Sequence, residues 1–182
     1  MPKTGGTSMN RLFRDRDFLN VHVDDDSTSS KHDSVALREI SANCFLSDRT
    51  RFFTLRPLQD WLISDWLHKR RHMNLPQLDF KPVLSGLFYS LRLGGVWVSA
   101  DWWLSYFDIN ESCIPLRLDR LSVDLNSKLL PLLPPNTAPF DLIPSENRKP
   151  STYQFPIRFT DNDLHRIHSV NPRWSQLETR YF

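Results

Sequence analysis

The chain has 182 residues, a formal net charge of +2 and 40% hydrophobic residues, with 13 prolines, 5 glycines and 2 cysteines. That length suits one domain plus a tail, and so small a net charge sets up no global field to steer nucleic acid or a membrane. Cys44 and Cys113 are too few for a disulfide framework, and no apolar run approaches the ~20 residues of a membrane span.

The first residues lack the charged-then-apolar pattern of a secretory signal. Pro2 stands where myristoylation needs a glycine, and both cysteines lie far from the C-terminus, where prenylation needs one. The expectation is an intracellular protein, cytoplasmic or nuclear, with two reduced thiols. Alanine is scarce, so helices depend on packing more than on intrinsic propensity.

Residues 1–35 read as a flexible tail. Leu12, Phe13, Phe18, Leu19, Val21 and Val23 are its main large apolar groups. The run Asp24 to Asp26, followed by Ser27 to Ser30, buries too little surface to offset chain entropy. Residues 36–182 read as a single domain. Ala36, Leu37, Ile40 and Ala42 suggest a short helix.

The first strong element is a helix over about 55–72, with Thr54 as its cap and Pro57 in the first turn. Leu58, Trp61, Leu62 and Trp66 recur at helical spacing. Lys69, Arg70, Arg71 and His72 close it with cations at the negative end of the helix dipole. A second helix is expected over about 82–93, with Pro82 at its start, Val83, Leu84, Leu87, Phe88 and Leu91 as its buried stripe, and Gly94-Gly95 as its stop.

From residue 96 the period changes. Val96, Val98 and Ala100 alternate with polar or aromatic neighbours, as in a strand. Trp102 to Phe107 fits either a continuation or a helical turn. Ile114, Leu116 and Leu118 alternate next. Leu121, Val123 and Leu125 follow after a one-residue slip, which suggests a bulge or turn between paired strands.

Leu129 to Phe140 is a proline-stiffened stretch, read as a crossover stapled by Leu130, Leu132 and Leu133. It also has the character of a displayed peptide ligand. Tyr153, Phe155, Ile157 and Phe159 alternate, with Pro156 placing that strand at an edge. Thr160 and Asp163 resemble a capping box before a short helix that Asn171-Pro172 ends. The order predicts an α+β fold: two helices of the N-terminal half packed on a small antiparallel sheet, then a short C-terminal helix.

Five features of the sequence bear on chemistry. His68 with His72, and His165 with His168, have spacings that zinc sites use, but no H-E-x-x-H or Cys-x-x-Cys accompanies them. His68, Lys69, Arg70, Arg71 and His72 form a basic helix end able to grip phosphates. Trp97, Trp102, Trp103, Tyr106 and Phe107 would suit base stacking, yet no Lys or Arg interleaves them. No G-x-S-x-G, P-loop or G-x-G-x-x-G is present. Asp101, Asp108 and Glu111 are acids without a shown partner. Neither a cofactor nor a metal is expected.

Five of the six tryptophans fall between Trp61 and Trp103, and large aromatics dominate cores and interfaces alike. The leading expectation is therefore a non-catalytic interaction protein. Its protein partner would meet a Trp-rich surface anchored by Trp61, Trp66, Trp102 and Trp103. The style of the chain matches accessory or matrix-type proteins, virus-encoded ones among them. The alternatives are an RNA- or DNA-binding protein working through residues 68–72, and a histidine-based metalloenzyme. Homo-oligomerisation is compatible with the first.

Overall fold

The computed structural model describes residues 6–15, 32–43, 45, 49–141 and 158–182. They mix helix and strand and fall into two compact units, each discontinuous in sequence. One comprises the chain up to Leu55 and Phe107–Lys149; the other comprises Arg56–Tyr106 and Pro150–Phe182.

The first unit holds α1 (Gly6–Asp15), α2 (Val35–Ala42), β1 (Phe52–Leu55), β4 (Ile114–Arg117) and the short α5 (Leu121–Asp124). Helix α1 lies within the stretch expected to be a flexible tail. Met9, Leu12 and Phe13 recur at helical spacing and so bury together. Met9 and Leu12 join a core with Leu116, Leu121, Leu125 and Phe140, against which Phe13 packs. The Asp24 to Ser30 run lies outside the described residues. Ser34 caps α2, accepting from the Leu37 N–H at 3.2 Å.

Strands β1 and β4 pair in parallel, Phe52 opposite Ile114 and Leu55 opposite Arg117. The antiparallel sheet expected for residues 114–118 is thus not what forms there. The strand expected over residues 121–125 is also replaced: the chain turns helical at Leu121 and widens into a π-turn over Leu125–Leu129. Leu121 and Leu125 are buried, one helical turn apart, while Val123 is 55% exposed.

The buried carboxylate of Asp124 locks this turn to the strand. Its Oδ2 accepts from the Arg117 N–H at 2.7 Å and from Lys128 Nζ at 3.0 Å, and its Oδ1 from Arg120 Nε at 3.0 Å. Burial pushes the carboxyl up, but these partners outweigh it and the net shift is downward. Phe140, fully buried, ends the proline-rich stretch: its N–H donates to Asn126 Oδ1 at 2.7 Å, and its carbonyl accepts from the Ser122 hydroxyl. Leu130 and Leu133 pack on the core, whereas Leu132 is exposed. Cys113 is a buried free thiol; Cys44 lies outside the described residues.

The second unit holds α3 (Leu58–His72), β2 (Leu87–Ser90), β3 (Val96–Ser99), α4 (Asp101–Tyr106), α6 (Asp161–Val170) and α7 (Pro172–Tyr181). Helix α3 follows the expected stripe, with Leu58, Trp61, Leu62 and Trp66 buried. Its cap differs. Thr54 belongs to β1, Pro57 occupies the N-cap without a side-chain bond, and the Leu58 N–H donates instead to Glu178 Oε1 of α7 at 2.9 Å.

The second expected helix, 82–93, is a hairpin. Gly86 takes φ +80°, in the left-handed region that ends a helical run. The chain then forms β2, pairs antiparallel with β3 and turns through Gly94-Gly95; Tyr89 lies opposite Trp97 and Ser90 opposite Val96. The capping box at Thr160 and Asp163 is present, with the Thr160 N–H on Asp163 Oδ2 at 2.9 Å and the Asp163 N–H on Thr160 Oγ1 at 3.2 Å. Pro172 follows α6 and opens α7, a further helix not expected from the sequence. Most of the strand expected over 153–159 lies outside the described residues.

One side chain joins these pieces. The Asn171 carboxamide, fully buried, donates to the carbonyls of Gly86 at 2.9 Å and Ile167 at 2.8 Å. Its oxygen accepts from the Ala100 N–H at 2.6 Å, the Ser99 hydroxyl at 2.8 Å and the Asp101 N–H at 3.3 Å. A Cβ at Gly86 would lie 2.7 Å from Asn171 Nδ2. Asn171→Ala is expected to destabilise the second unit by about 3 kcal/mol or more, because it strands several buried backbone groups. Gly86→Ala should cost about 1–3 kcal/mol through backbone strain alone, and more through the contact with Asn171. Urea unfolding followed by circular dichroism measures both.

Candidate functional site

The aromatic residues separate by depth. Trp61 and Trp174 are fully buried, with ring centroids 5.1 Å apart, and Trp61 meets Phe88 edge-on at 5.3 Å. The Trp174 indole N–H donates to the Arg56 carbonyl at 3.2 Å. Trp66 is buried against Phe80 and donates to the carbonyls of Leu78 and Asp79 at 3.1 and 3.2 Å, which pins the connector after α3. Trp103 is buried and stacks on Phe88 at 5.9 Å.

Of the four expected anchors, then, Trp61, Trp66 and Trp103 are core residues of the folded unit, and only Trp102 is half-buried. A partner cannot reach an indole closed inside the fold. The i, i+4 spacing on α4 stacks Trp102 on Tyr106 at 4.8 Å, and Arg92 covers the Tyr106 ring at 5.0 Å while donating to its hydroxyl. Arg92 therefore supplies the cation that the sequence around Trp102 lacks. It does so over a ring face that a nucleic-acid base would otherwise use.

The basic helix end separates in the same way. Lys69 turns inward, pairs with Asp65 one helical turn back and sits 4.9 Å from the centroid of the Phe88 ring. Burial pushes its ammonium down, and the Asp65 charge and hydrogen bond oppose that shift. Arg70 points outward; its guanidinium lies 4.6 Å from the Trp66 ring centroid and its Nε donates to the Pro76 carbonyl at 2.7 Å. His68 and His72 lie with ring centroids 5.1 Å apart, and His72 and Arg71 are exposed. The phosphate-gripping cluster read from the sequence thus loses Lys69.

The other histidine pair is on α6. His165 is exposed, while His168 Nδ1 lies 3.5 Å from Glu178 Oε2. Among the described residues no three His, Cys, Asp or Glu side chains converge on a metal-sized site. Nor is any helix among them long and apolar enough to cross a membrane.

What the sequence did not signal is a set of exposed aliphatic side chains around the hairpin turn. Leu91, Leu93 and Val96 are 46%, 40% and 45% exposed within six residues of chain. The cross-strand pair Tyr89 and Trp97, centroids 5.4 Å apart, is half-buried beside them. The sequence pattern places Leu91 in the buried stripe of a helix, and the hairpin turns it out. The left-handed conformations of Gly94 and Gly95 fix the turn; a Cβ on Gly95 would meet the Tyr89 hydroxyl at 2.6 Å. No family model, curated protein or solved structure matches the chain.

Trp61→Ala is expected to cost about 3–5 kcal/mol of stability, as for other large aromatic truncations in a core. Trp102→Ala should cost about 1 kcal/mol, the usual scale for a partly exposed site. Parallel urea titrations test the difference, and equal losses would show Trp102 to be as much a core residue as Trp61.

Proposed function

We propose that the protein is a non-catalytic interaction protein whose contact surface is the β2–β3 turn and the outward arc of α4, with a protein as its partner. The supporting observation is the exposure of three aliphatic side chains, Leu91, Leu93 and Val96, within six residues around one short turn. Apolar residues exposed singly are ordinary, but adjacent ones on a defined element form a patch of the kind that marks interaction sites. Half-buried Trp97 and Trp102 border this region of the chain and offer the amphipathic aromatic contacts enriched at interfaces.

The nucleic-acid alternative is weaker on physical grounds. Lys69 is neutralised by Asp65. One face of Trp102 and one face of Tyr106 are taken up by their mutual stacking, Trp103 meets Trp102 edge to face, and Arg92 lies over the Tyr106 ring. Stacking on a base needs an open ring face, and phosphate affinity grows with the number of uncompensated cations.

A pull-down from cell lysate, run with and without nuclease, separates the two readings. The bait is the full chain, compared with the double variant Leu91→Asp, Leu93→Asp. Protein capture should survive nuclease treatment, change little from 50 to 200 mM salt (a range over which nucleic-acid complexes weaken by about a thousandfold or more) and fall about tenfold or more in the double variant. The variant should retain the circular dichroism spectrum and unfolding midpoint of the parent. Capture lost to nuclease, or unaffected by the double substitution, would overturn the proposal.

A further inference from the structure

Two imidazoles at the end of α3 stand at the separation that one metal ion would impose on them. His68 and His72 are four residues apart, so they are neighbours on one side of the helix. Their ring centroids lie 5.1 Å apart, with the planes inclined by 35°. An imidazole nitrogen binds zinc at about 2.0–2.1 Å, and two such rings on one tetrahedral ion have centroids about 5 Å apart. Residue spacing alone leaves a metal unexpected here; the ring geometry argues for one.

We propose that His68 and His72 form a two-histidine site for a divalent transition-metal ion of the zinc, nickel and copper class, with water in its remaining positions. Imidazole suits these ions, whereas Mg²⁺ and Ca²⁺ take oxygen ligands. Each ring has two nitrogens, so ligation through one leaves the other for a hydrogen-bond partner. His72 is exposed and His68 half-buried.

The surroundings accept a cation. Three basic residues separate the histidines in sequence, and the fold engages two of them elsewhere. Lys69 is buried and paired with Asp65. Arg70 lies against the Trp66 ring and donates its Nε to the Pro76 carbonyl. Arg71 is exposed, where solvent and salt screen its charge. The pair also sits in the last turn of the helix, whose end carries a partial negative charge that favours cations.

An ion shared by residues 68 and 72 spans that last turn. The Met73 and Leu75 N–H groups donate to the Lys69 carbonyl inside it, at 3.2 and 3.3 Å, so the connector leaving α3 starts from the same turn. An ion that binds the folded turn and not the unfolded chain stabilises the fold. Among the described residues no third His, Cys, Asp or Glu joins the pair, so the site is a two-point clip on the helix end. The clip does not rest on the interaction reading and is tested without a partner.

The test is calorimetric titration of the untagged full chain with Ni²⁺ and with Zn²⁺ at about pH 7.5, above the ordinary histidine range, with Mg²⁺ as the control. Two ligands are half those of a structural zinc site, and about half its binding free energy corresponds to a dissociation constant on the order of 10 µM. Affinity for Ni²⁺ should fall about tenfold or more in His68→Ala and in His72→Ala. It should change less than about twofold in His165→Ala, a separate site on α6. Saturating Ni²⁺ should raise the urea midpoint of the parent and leave that of His72→Ala unchanged. Ni²⁺ binding weaker than about 1 mM, binding that survives both alanine substitutions, or equal affinity for Mg²⁺ overturns the clip. Should His68→Ala fail to fold, His72→Ala decides alone, because that side chain is exposed.

Discussion

The second unit depends on one buried amide. Asn171 occupies the corner between α6 and α7, and its carboxamide completes the hydrogen bonding of Gly86, Ile167, Ser99, Ala100 and Asp101. A carboxamide has two donors and an acceptor oxygen with two lone pairs, and here all of that capacity is in use. Its bonds to the Gly86 and Ile167 carbonyls and to the Ala100 N–H are buried, and leaving such a group unpaired costs about 1–3 kcal/mol. The hairpin and the C-terminal helix pair therefore form together. Gly86 belongs to the same constraint, since a larger residue would collide with the amide and with the Ile167 backbone.

The same unit uses carboxylates from one element to complete the helix ends of another. Asp101 serves the start of α7, and Glu178, at the other end of α7, serves the start of α3. Helix N-termini leave N–H groups unsatisfied and favour negative charge. Pro57 and Asn171, the residues at these two N-caps, make no side-chain cap bond. Helix α7 is thus held at both ends by anion-to-helix contacts, and its placement is coupled to α3 and α4 through charge as well as through Trp174. Unit 1 uses a related device in Asp124, which binds the end of β4 to the turn that follows.

These devices explain what could be read in advance. The capping box of Thr160 and Asp163 was legible because both partners are three residues apart. The α3 stripe was legible because Trp61, Leu62 and Trp66 repeat with a single period. The cap of α3 was not, because Glu178 lies 120 residues away. The segment 121–125 shows a different failure. A spacing of four satisfies a strand period of two and a helical period of 3.6 almost equally, so Leu121 and Leu125 fit both. Val123 alone discriminates, and its exposure belongs to the helix. Over 82–93 the apolar spacing fitted a helix, yet Gly86 and Gly94-Gly95 gave the chain three positions with left-handed freedom, and cross-strand pairing used them. Of the proposed site, the aromatic crowding was visible, but depth was not: Trp66 and Trp102 look alike in sequence, and only packing separates a buried staple from a half-open ring.

That separation changes what the aromatic residues can do. A hairpin of two four-residue strands is at best marginal alone in water. Here its inner face carries Phe88 into the rings of Trp61, Trp102 and Trp103, so the tryptophan-rich core is what makes so short a hairpin stable. The aliphatic groups at its turn are then presented on an anchored element with its turn geometry set by two glycines. Binding costs less conformational entropy when the contacting segment is already ordered. Under this reading the tryptophans act at one remove. They supply the rigidity, and Leu91, Leu93 and Val96 supply the contact. A substitution that loosens Phe88 against Trp103 should therefore weaken partner binding without touching the partner, and the weakening should track loss of hairpin order.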